Sequence, residues 1–238
     1  LVPVDSQPGK AVEDRLDPVL EDGGAAAVDA AVTAARAAFT DGRWRRMPPR
    51  QRADIMRRFA DLVLAHRDEL ALAEALDVGK PISQTYNAEV DETAEAIRWY
   101  ADAIDKVHDE VLSSPEHALL TVTREPIGVI GAIVPWNFSI IIAAWKFAPA
   151  LATGNSVVLK PSELSTLPAL ILARLAAEAG IPDGVFNVLH GDREVGVAEG
   201  GDAAVAGAQS HQAGEGGRRA GRPAAVAGRS RRDEAGRH

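Results

Sequence analysis

Between residues 129 and 189 the chain alternates short β-branched runs with helix-forming stretches, an order that few folds accommodate. Val129-Ile130-Gly131-Ala132-Ile133-Val134 ends at Pro135, and the next stretch, Phe138 to Ala152, reads as helix. Ser156-Val157-Val158-Leu159 reads as a second strand, Thr166 to Ala179 as an amphipathic helix closed by Gly180, and Val185 to Leu189 as a third strand. Runs that are apolar at successive positions suit strands buried on both faces. Strand, helix, strand, helix, strand with short connections predicts a doubly wound parallel sheet with three strands in this stretch.

The preceding part is helical. Residues 26 to 39 carry Val28, Val32 and Ala35 at helical spacing ahead of Phe39, and Asp41-Gly42 stops the helix. Pro48-Pro49 open a second helix whose apolar stripe is Ile55, Phe59, Leu62 and Val63. A third is expected to carry Leu70, Leu72, Ala73 and Leu76 and to end at Gly79-Lys80-Pro81, and a fourth to run from about Gln84 to His108 with Val90, Ala94, Ile97 and Ala101 inward. The character changes at Ser113-Ser114-Pro115, after which Leu119 to Thr123 reads as extended. Beyond Leu189 there is no Leu, Ile, Phe, Met, Trp or Tyr, and 20 of the 42 residues from Val197 to His238 are Gly or Ala. Such a segment buries too little apolar surface to offset its chain entropy, so disorder is expected there and the fold is expected to end near Gly196.

Composition narrows the function. A chain with no cysteine has no disulfide, thiolate metal site or cysteine nucleophile of its own, and no residues suggest another metal site. A net charge of −8 argues against a general nucleic-acid binder. The seven Arg against three acids from Gly214 to His238 come with no aromatic residue for stacking bases, so no nucleic-acid partner is assigned to them. Ile127 to Trp145 is uncharged over 19 residues, near the length of a membrane span, yet it contains Gly128, Gly131, Pro135 and Asn137 and has no basic cluster beside it. A buried strand, turn and helix is the reading there, with no membrane partner. The first residues show no basic stretch followed by an apolar one, so a cytoplasmic location is expected.

Three motifs carry a resemblance. Gly128-Val-Ile-Gly-Ala-Ile-Val-Pro-Trp-Asn-Phe138, Ala148-Pro-Ala-Leu-Ala-Thr-Gly-Asn-Ser-Val-Val-Leu-Lys-Pro-Ser-Glu163 and Ala179-Gly-Ile-Pro-Asp-Gly-Val-Phe-Asn-Val188 resemble, in order, the first half of an aldehyde dehydrogenase. The likeness spans roughly Ala25 to Gly196, and Trp99-Tyr100-Ala-Asp-Ala-Ile-Asp-Lys106 is similar to the branch acting on aminoaldehydes and related aliphatic aldehydes. It implies an α/β fold: a partial Rossmann-like doubly wound parallel sheet preceded by an N-terminal helical region, with a disordered C-terminal tail. The expected division is an irregular segment over 1–24, the helical part of the cofactor domain over 25–112, a partial dinucleotide-binding domain over 113–196 and the tail over 197–238.

The resemblance also implies roles. In the family a cysteine thiolate attacks the aldehyde carbon, hydride passes to a nicotinamide, and a glutamate-activated water hydrolyses the thioester. Asn137 is then the donor to the oxyanion formed on attack; apart from the motif it reads first as an Asn turning the chain after a strand, and with the motif the oxyanion role leads. In Lys160-Pro161-Ser162-Glu163, Lys160 and Glu163 are implied to contact the adenosine ribose hydroxyls, with Ser162 in the same cofactor-binding motif. The carboxylate repels a 2′-phosphate and favours NAD over NADP; the alternative is a solvated Lys and a Glu ahead of a helix dipole. Ile133 and Trp136 are implied to lie beside the cofactor, or are ordinary core residues. Lys146 is similar to a lysine near the family's active site, or snorkels from a buried helix. Gly191 through Gly196 resembles the glycine turn beside the cofactor pyrophosphate.

The departures from the family are as informative. The cysteine nucleophile, the general-base glutamate and the later strands have no counterpart, so a truncated, catalytically inactive member is expected, leaving one sheet edge unpaired. The abrupt change of composition after the glycine turn fits an out-of-frame reading of a GC-rich gene, and Leu1 to Gly24 lacks the family's usual opening. The substrate implied is a small-molecule aldehyde and the family assembles as homo-oligomers; a non-catalytic module that binds nucleotide or associates with an oligomer is the alternative.

Overall fold

The computed structural model describes residues 24–191 and the backbone of 205–210. Helix α1, Gly24–Asp41, turns Val28, Val32, Ala35 and Ala38 inward. Helix α2, Pro49–Ala65, has Pro in its first turn, where a missing N–H is harmless, and buries Ile55, Phe59 and Val63. Helix α3, Arg67–Val78, stops at Gly79, whose φ of 71° suits a residue without a Cβ.

The inward face of α3 differs from the apolar expectation. Leu76 is 59% exposed, whereas Leu70, Ala73 and Glu74 are buried. At 100° per residue, positions 70, 73, 74 and 77 share one side of the helix and 76 points away from it. The core side therefore presents two acids, Glu74 and Asp77, and a leucine faces solvent.

The long acidic helix is composite. A short turn, Ile82–Gln84, passes into a π-helical turn, Thr85–Glu89, then into α4, Val90–Ala103, and ends in a 3₁₀ turn, Ile104–Lys106. Val90, Ala94, Ile97 and Ala101 all face the core as their spacing predicts. Strands β1, Glu110–Leu112, and β2, Leu120–Val122, pair antiparallel as a ribbon exposed along its length.

The second half forms the sheet. Strands β3 (Val129–Ile133), β4 (Ser156–Lys160) and β5 (Phe186–Val188) alternate with α5 (Ser139–Ala152) and α6 (Thr166–Ala179). With β6, Val205–Ser210, the sheet runs in the order β5-β4-β3-β6 with every pairing in it parallel. Val129 and Val158 pack with Val28, Val32 and Ala35 of α1, while Ala132, Val157 and Leu159 join the larger core of α2, α4, α5 and α6. Helices thus cover both faces, as a doubly wound sheet requires. An aromatic chain, Phe59 to Phe147 at 5.7 Å and Phe147 to Phe186 at 4.9 Å, joins α2, α5 and the sheet; each fully buried ring contributes about 1.5–3 kcal/mol.

Strand β6 adds a fourth strand where three were expected. It pairs with the outer side of β3, in register from Ile130↔Gly207 to Ile133↔Ser210, so the sheet has four parallel strands and the β3 edge is paired. A parallel ladder is made by backbone N–H and C=O groups, which the apolar content of the sequence does not count. Residues 1–23, 192–204 and 211–238, with the expectations placed on them, lie outside the described residues.

Candidate functional site

The carboxyl ends of β3 and β4 lie side by side, the place where open α/β sheets collect ligand-binding residues. Ile133 pairs with Lys160, and the Val134 N–H donates to the Lys160 carbonyl at 3.1 Å, so both strands end at one level. Pro135 ends β3, and the chain turns through Trp136, Asn137 and Phe138 into α5.

Around this turn Ile133 and Asn137 are half-buried, while Trp136 and Phe138 are 49% and 41% exposed. Trp136 is therefore no ordinary core residue. Asn137 Oδ1 is buried without a hydrogen-bond partner among the described residues. Lys146 lies two turns along α5, half-buried, and among the described residues it forms no hydrogen bond or ion pair with the strand-end groups.

The β4 end carries Lys160, Ser162 and Glu163. Lys160 is 3% exposed, which removes the reading of a solvated lysine. Its ammonium has one ion-pair partner among the described residues, the exposed Glu163 carboxylate at 3.8 Å, beyond hydrogen-bond distance. Ser162 Oγ donates to Glu163 Oε2 at 3.4 Å and accepts from the Leu164 N–H at 3.3 Å. The Leu189 N–H donates to the Leu159 carbonyl at 2.8 Å, and His190 Nδ1 lies 3.0 Å from Thr166 Oγ1, so the end of β5 reaches the same edge. Gly191 is buried there; Gly196 lies outside the described residues.

Sequence reasoning missed the acids beneath both turns. Ser139, the first residue of α5, is buried and donates its hydroxyl to Glu74 Oε2 at 2.5 Å. Lys80 Nζ pairs with Glu74 Oε1 at 3.1 Å and with Glu89 at 2.8 Å, and sits 4.6 Å from the centre of the Phe138 ring. Glu74 and Glu89 are 0% and 1% exposed, so two carboxylates share one cation inside the protein. Burial pushes the Glu89 carboxyl above its ordinary range, against the hydrogen bonds from Lys80 that pull it down. At α6, Asp77 Oδ2 accepts the Leu167 N–H at 2.9 Å. Burial raises the Asp77 carboxyl to about 6, opposed by that hydrogen bond and assisted by nearby Glu74. The available signal was two acids three residues apart in a helix whose apolar stripe is too narrow to fill its inward side.

Chemically, the grouped strand ends offer a carboxylate acceptor, an ammonium donor and a side-chain amide, a set suited to hydroxyl groups or a developing oxyanion. Among the described residues no group of three His, Asp or Glu could hold a metal ion. No described helix is long and apolar enough to cross a membrane. A cleft of about 250 Å³ lined by Arg50, Asp54, Arg57 and Asp105 is built from α2 and the end of α4 and contains none of these strand-end residues.

A parallel sheet wound on both faces, with its polar groups gathered at the strand carboxyl ends, defines a Rossmann-like α/β protein. The aldehyde dehydrogenase family profile matches residues 18–207, and the chain belongs to that family. It is 53% identical over 164 residues to the NADP/NAD-dependent aldehyde dehydrogenase PuuC of Escherichia coli, covering 69% of this chain and 33% of that protein. Against the aminoacetaldehyde dehydrogenase of Pseudomonas aeruginosa the identity is 49% over 167 residues, covering 70% and 34%. A solved indole-3-acetaldehyde dehydrogenase in complex with NAD+ superposes with a TM-score of 0.77 at 50% identity, covering 78% of this chain and 38% of that one. The chain thus spans about a third of the length of the curated relatives it matches.

Proposed function

We propose that this chain is the nucleotide-side part of an NAD-dependent oxidoreductase acting on a small aliphatic or amino-substituted aldehyde, and that by itself it binds NAD without oxidising aldehyde. The observation that carries the reading is the buried Lys160 ammonium whose Glu163 partner stands 3.8 Å away at the end of β4. A ribose diol can donate to that carboxylate and accept from that ammonium, whereas a 2′-phosphate would bring a second anion against Glu163 and weaken NADP. Ser162 steadies the Glu163 carboxylate, Ile133 and Trp136 flank the same edge, and Gly191 stands at the end of β5. The NAD+ complex of the 50% identical relative supports this cofactor, and the 49% identical aminoacetaldehyde dehydrogenase supports the substrate class.

Bound NAD supplies the hydride acceptor. Asn137, whose side-chain amide is free of hydrogen bonds among the described residues, is the oxyanion donor in this reading, and Lys146 is a more distant participant. The family's reaction begins at a cysteine thiolate, and the chain contains no cysteine, so turnover by this chain alone is not expected. A cytoplasmic location belongs to the same reading.

Calorimetric titration tests it. Saturable NAD binding that exceeds NADP binding and is lost in Lys160→Ala and Glu163→Ala supports the reading; a flat NAD titration overturns it. Mixing the chain with NAD and an aliphatic aldehyde is expected to give no growth of the NADH absorbance band.

A second reading has an observation of its own. The β1–β2 ribbon exposes Val111, Leu112, Leu120 and Val122, with Leu119 beside it, an apolar surface whose outer strand edges are unpaired among the described residues and which favours association with a second copy or an intact relative. Light scattering after size exclusion decides: a mass of one chain at every concentration removes it.

A further inference from the structure

Helices α5 and α6 each begin immediately after a strand-end turn, and neither has a side-chain cap from its own N-cap residue, Phe138 or Ser165. Ser165 Oγ is buried without a hydrogen-bond partner among the described residues. Both helix starts are instead tied by α3: Glu74 takes the Ser139 hydroxyl at 2.5 Å, and Asp77 takes the Leu167 N–H at 2.9 Å. Glu74 and Asp77 are one turn apart on the inward side of α3, and each places a carboxylate against the positive end of a helix, where it is favoured. Ser139 is two residues beyond Asn137, and Leu167 is four beyond Glu163. Lys80 extends the contact by packing its ammonium against the Phe138 ring while holding Glu74 and Glu89.

We propose that α3 is a two-pronged brace in which Glu74 and Asp77 are positioning residues, fixing the turn that carries Asn137 relative to the turn that carries Lys160 and Glu163. The inference rests on the dinucleotide-site reading given above and assigns a role to groups outside that site. The two turns belong to different strand-to-helix units, and each of these two ties runs through α3, a helix that precedes the sheet in the chain. A donor and a diol-binding pair serve one ligand only when their separation is held to a fraction of an ångström.

The test compares four variants of the full chain. Asp77→Ala removes the acceptor for the Leu167 N–H; Asp77→Asn keeps a carbonyl oxygen there. Arg174→Ala deletes another link between α3 and α6, the exposed Arg174–Glu69 pair at 2.7 Å, away from the turn. In NAD titrations Asp77→Ala is expected to weaken binding about five- to tenfold, the worth of one part-buried hydrogen bond, with Asp77→Asn and Arg174→Ala within twofold of the parent. In ¹⁵N spectra of the same proteins, Asp77→Ala is expected to shift the amide resonances of residues 160–165, and Arg174→Ala to leave them in place. Ser139→Ala, which leaves the Glu74–Lys80 pair intact, should shift the resonances of Trp136 and Asn137.

Unchanged 160–165 resonances in Asp77→Ala, or equal losses in Asp77→Asn and Asp77→Ala, would overturn the brace. If the parent binds no NAD, the site reading fails while the spectra still decide whether α3 positions the turns.

Discussion

Replacing Lys80 by Met probes the buried charge cluster directly. Among the described residues Lys80 is the one cation bonded to two carboxylates that are 0% and 1% exposed, Glu74 at 3.1 Å and Glu89 at 2.8 Å. Without it, two desolvated acids face each other, and removing one side of a buried ion pair costs about 3–5 kcal/mol. The lost contact with the Phe138 ring adds about 0.5–1 kcal/mol. The sum is a large share of the roughly 5–15 kcal/mol that holds a domain together.

The loss should depend on pH, with a definite sign. The Glu89 carboxyl is already raised by burial, and loss of the Lys80 ammonium raises it further. A group whose folded pKa exceeds its unfolded value holds its proton more tightly in the folded state, so stability falls as pH rises between the two. Lys80→Met is therefore expected to lose about 3.5–6 kcal/mol at pH 8 and progressively less as the pH is lowered towards 5, because protonation of the Glu89 carboxyl relieves the repulsion between the two acids. Urea unfolding followed by circular dichroism at both pH values measures this, at unchanged slope. Glu89→Gln, which leaves one acid with one cation, should stay within about 1 kcal/mol of the parent. A Lys80→Met loss below about 1 kcal/mol, equal at the two pH values, would refute the reasoning.

Three further outcomes follow from single contacts. The Asp77 carboxyl, raised to about 6 from 3.8, destabilises the fold increasingly as pH rises from about 4 to 6; Asp77→Asn should thus gain over the parent across that interval by about 1 kcal/mol, once its partial exposure is discounted, and the gain should level off above pH 7 in melting experiments. Gly184 has a φ of 77°, and a Cβ there would stand 2.7 Å from the Ala34 carbonyl oxygen, so Gly184→Ala should lose about 2–4 kcal/mol in denaturant titration. Trp44 is buried and donates its indole N–H to the Leu151 carbonyl at 2.8 Å; Trp44→Phe removes this bond from a carbonyl that still accepts the Gly154 N–H at 3.0 Å and opens a small cavity, and a loss of about 1–2 kcal/mol in the same assay is expected.

Much of the architecture was legible before any coordinates. Thr166 to Ala179 is a helix over just the span its pattern predicts, and Val90, Ala94, Ile97 and Ala101 face inward as their spacing requires. The break of the acidic helix into π, α and 3₁₀ parts was not legible, because Thr85–Glu89 and Ile104–Lys106 are too short to show a period of their own. The candidate site was half legible. Asn137, Lys160 and Glu163 stand in recognisable motifs at strand ends, and Gly191 lies beside them; Lys146 stands apart on α5.

By itself, the sequence determined the order of the helices and of strands β3 to β5, the stops at Gly79 and Gly180, and membership of a family whose motifs are local in the chain. These follow from side-chain period and backbone preference, which act within a few residues. Only the tertiary structure decided that Lys160 is buried, that β6 pairs with β3, and that α3 turns Glu74 and Asp77 inward under the two turns. A buried acid carries no apolar signal, and a ladder or a capping bond joins groups far apart in the chain, so neither can be read until the helices and strands meet in space.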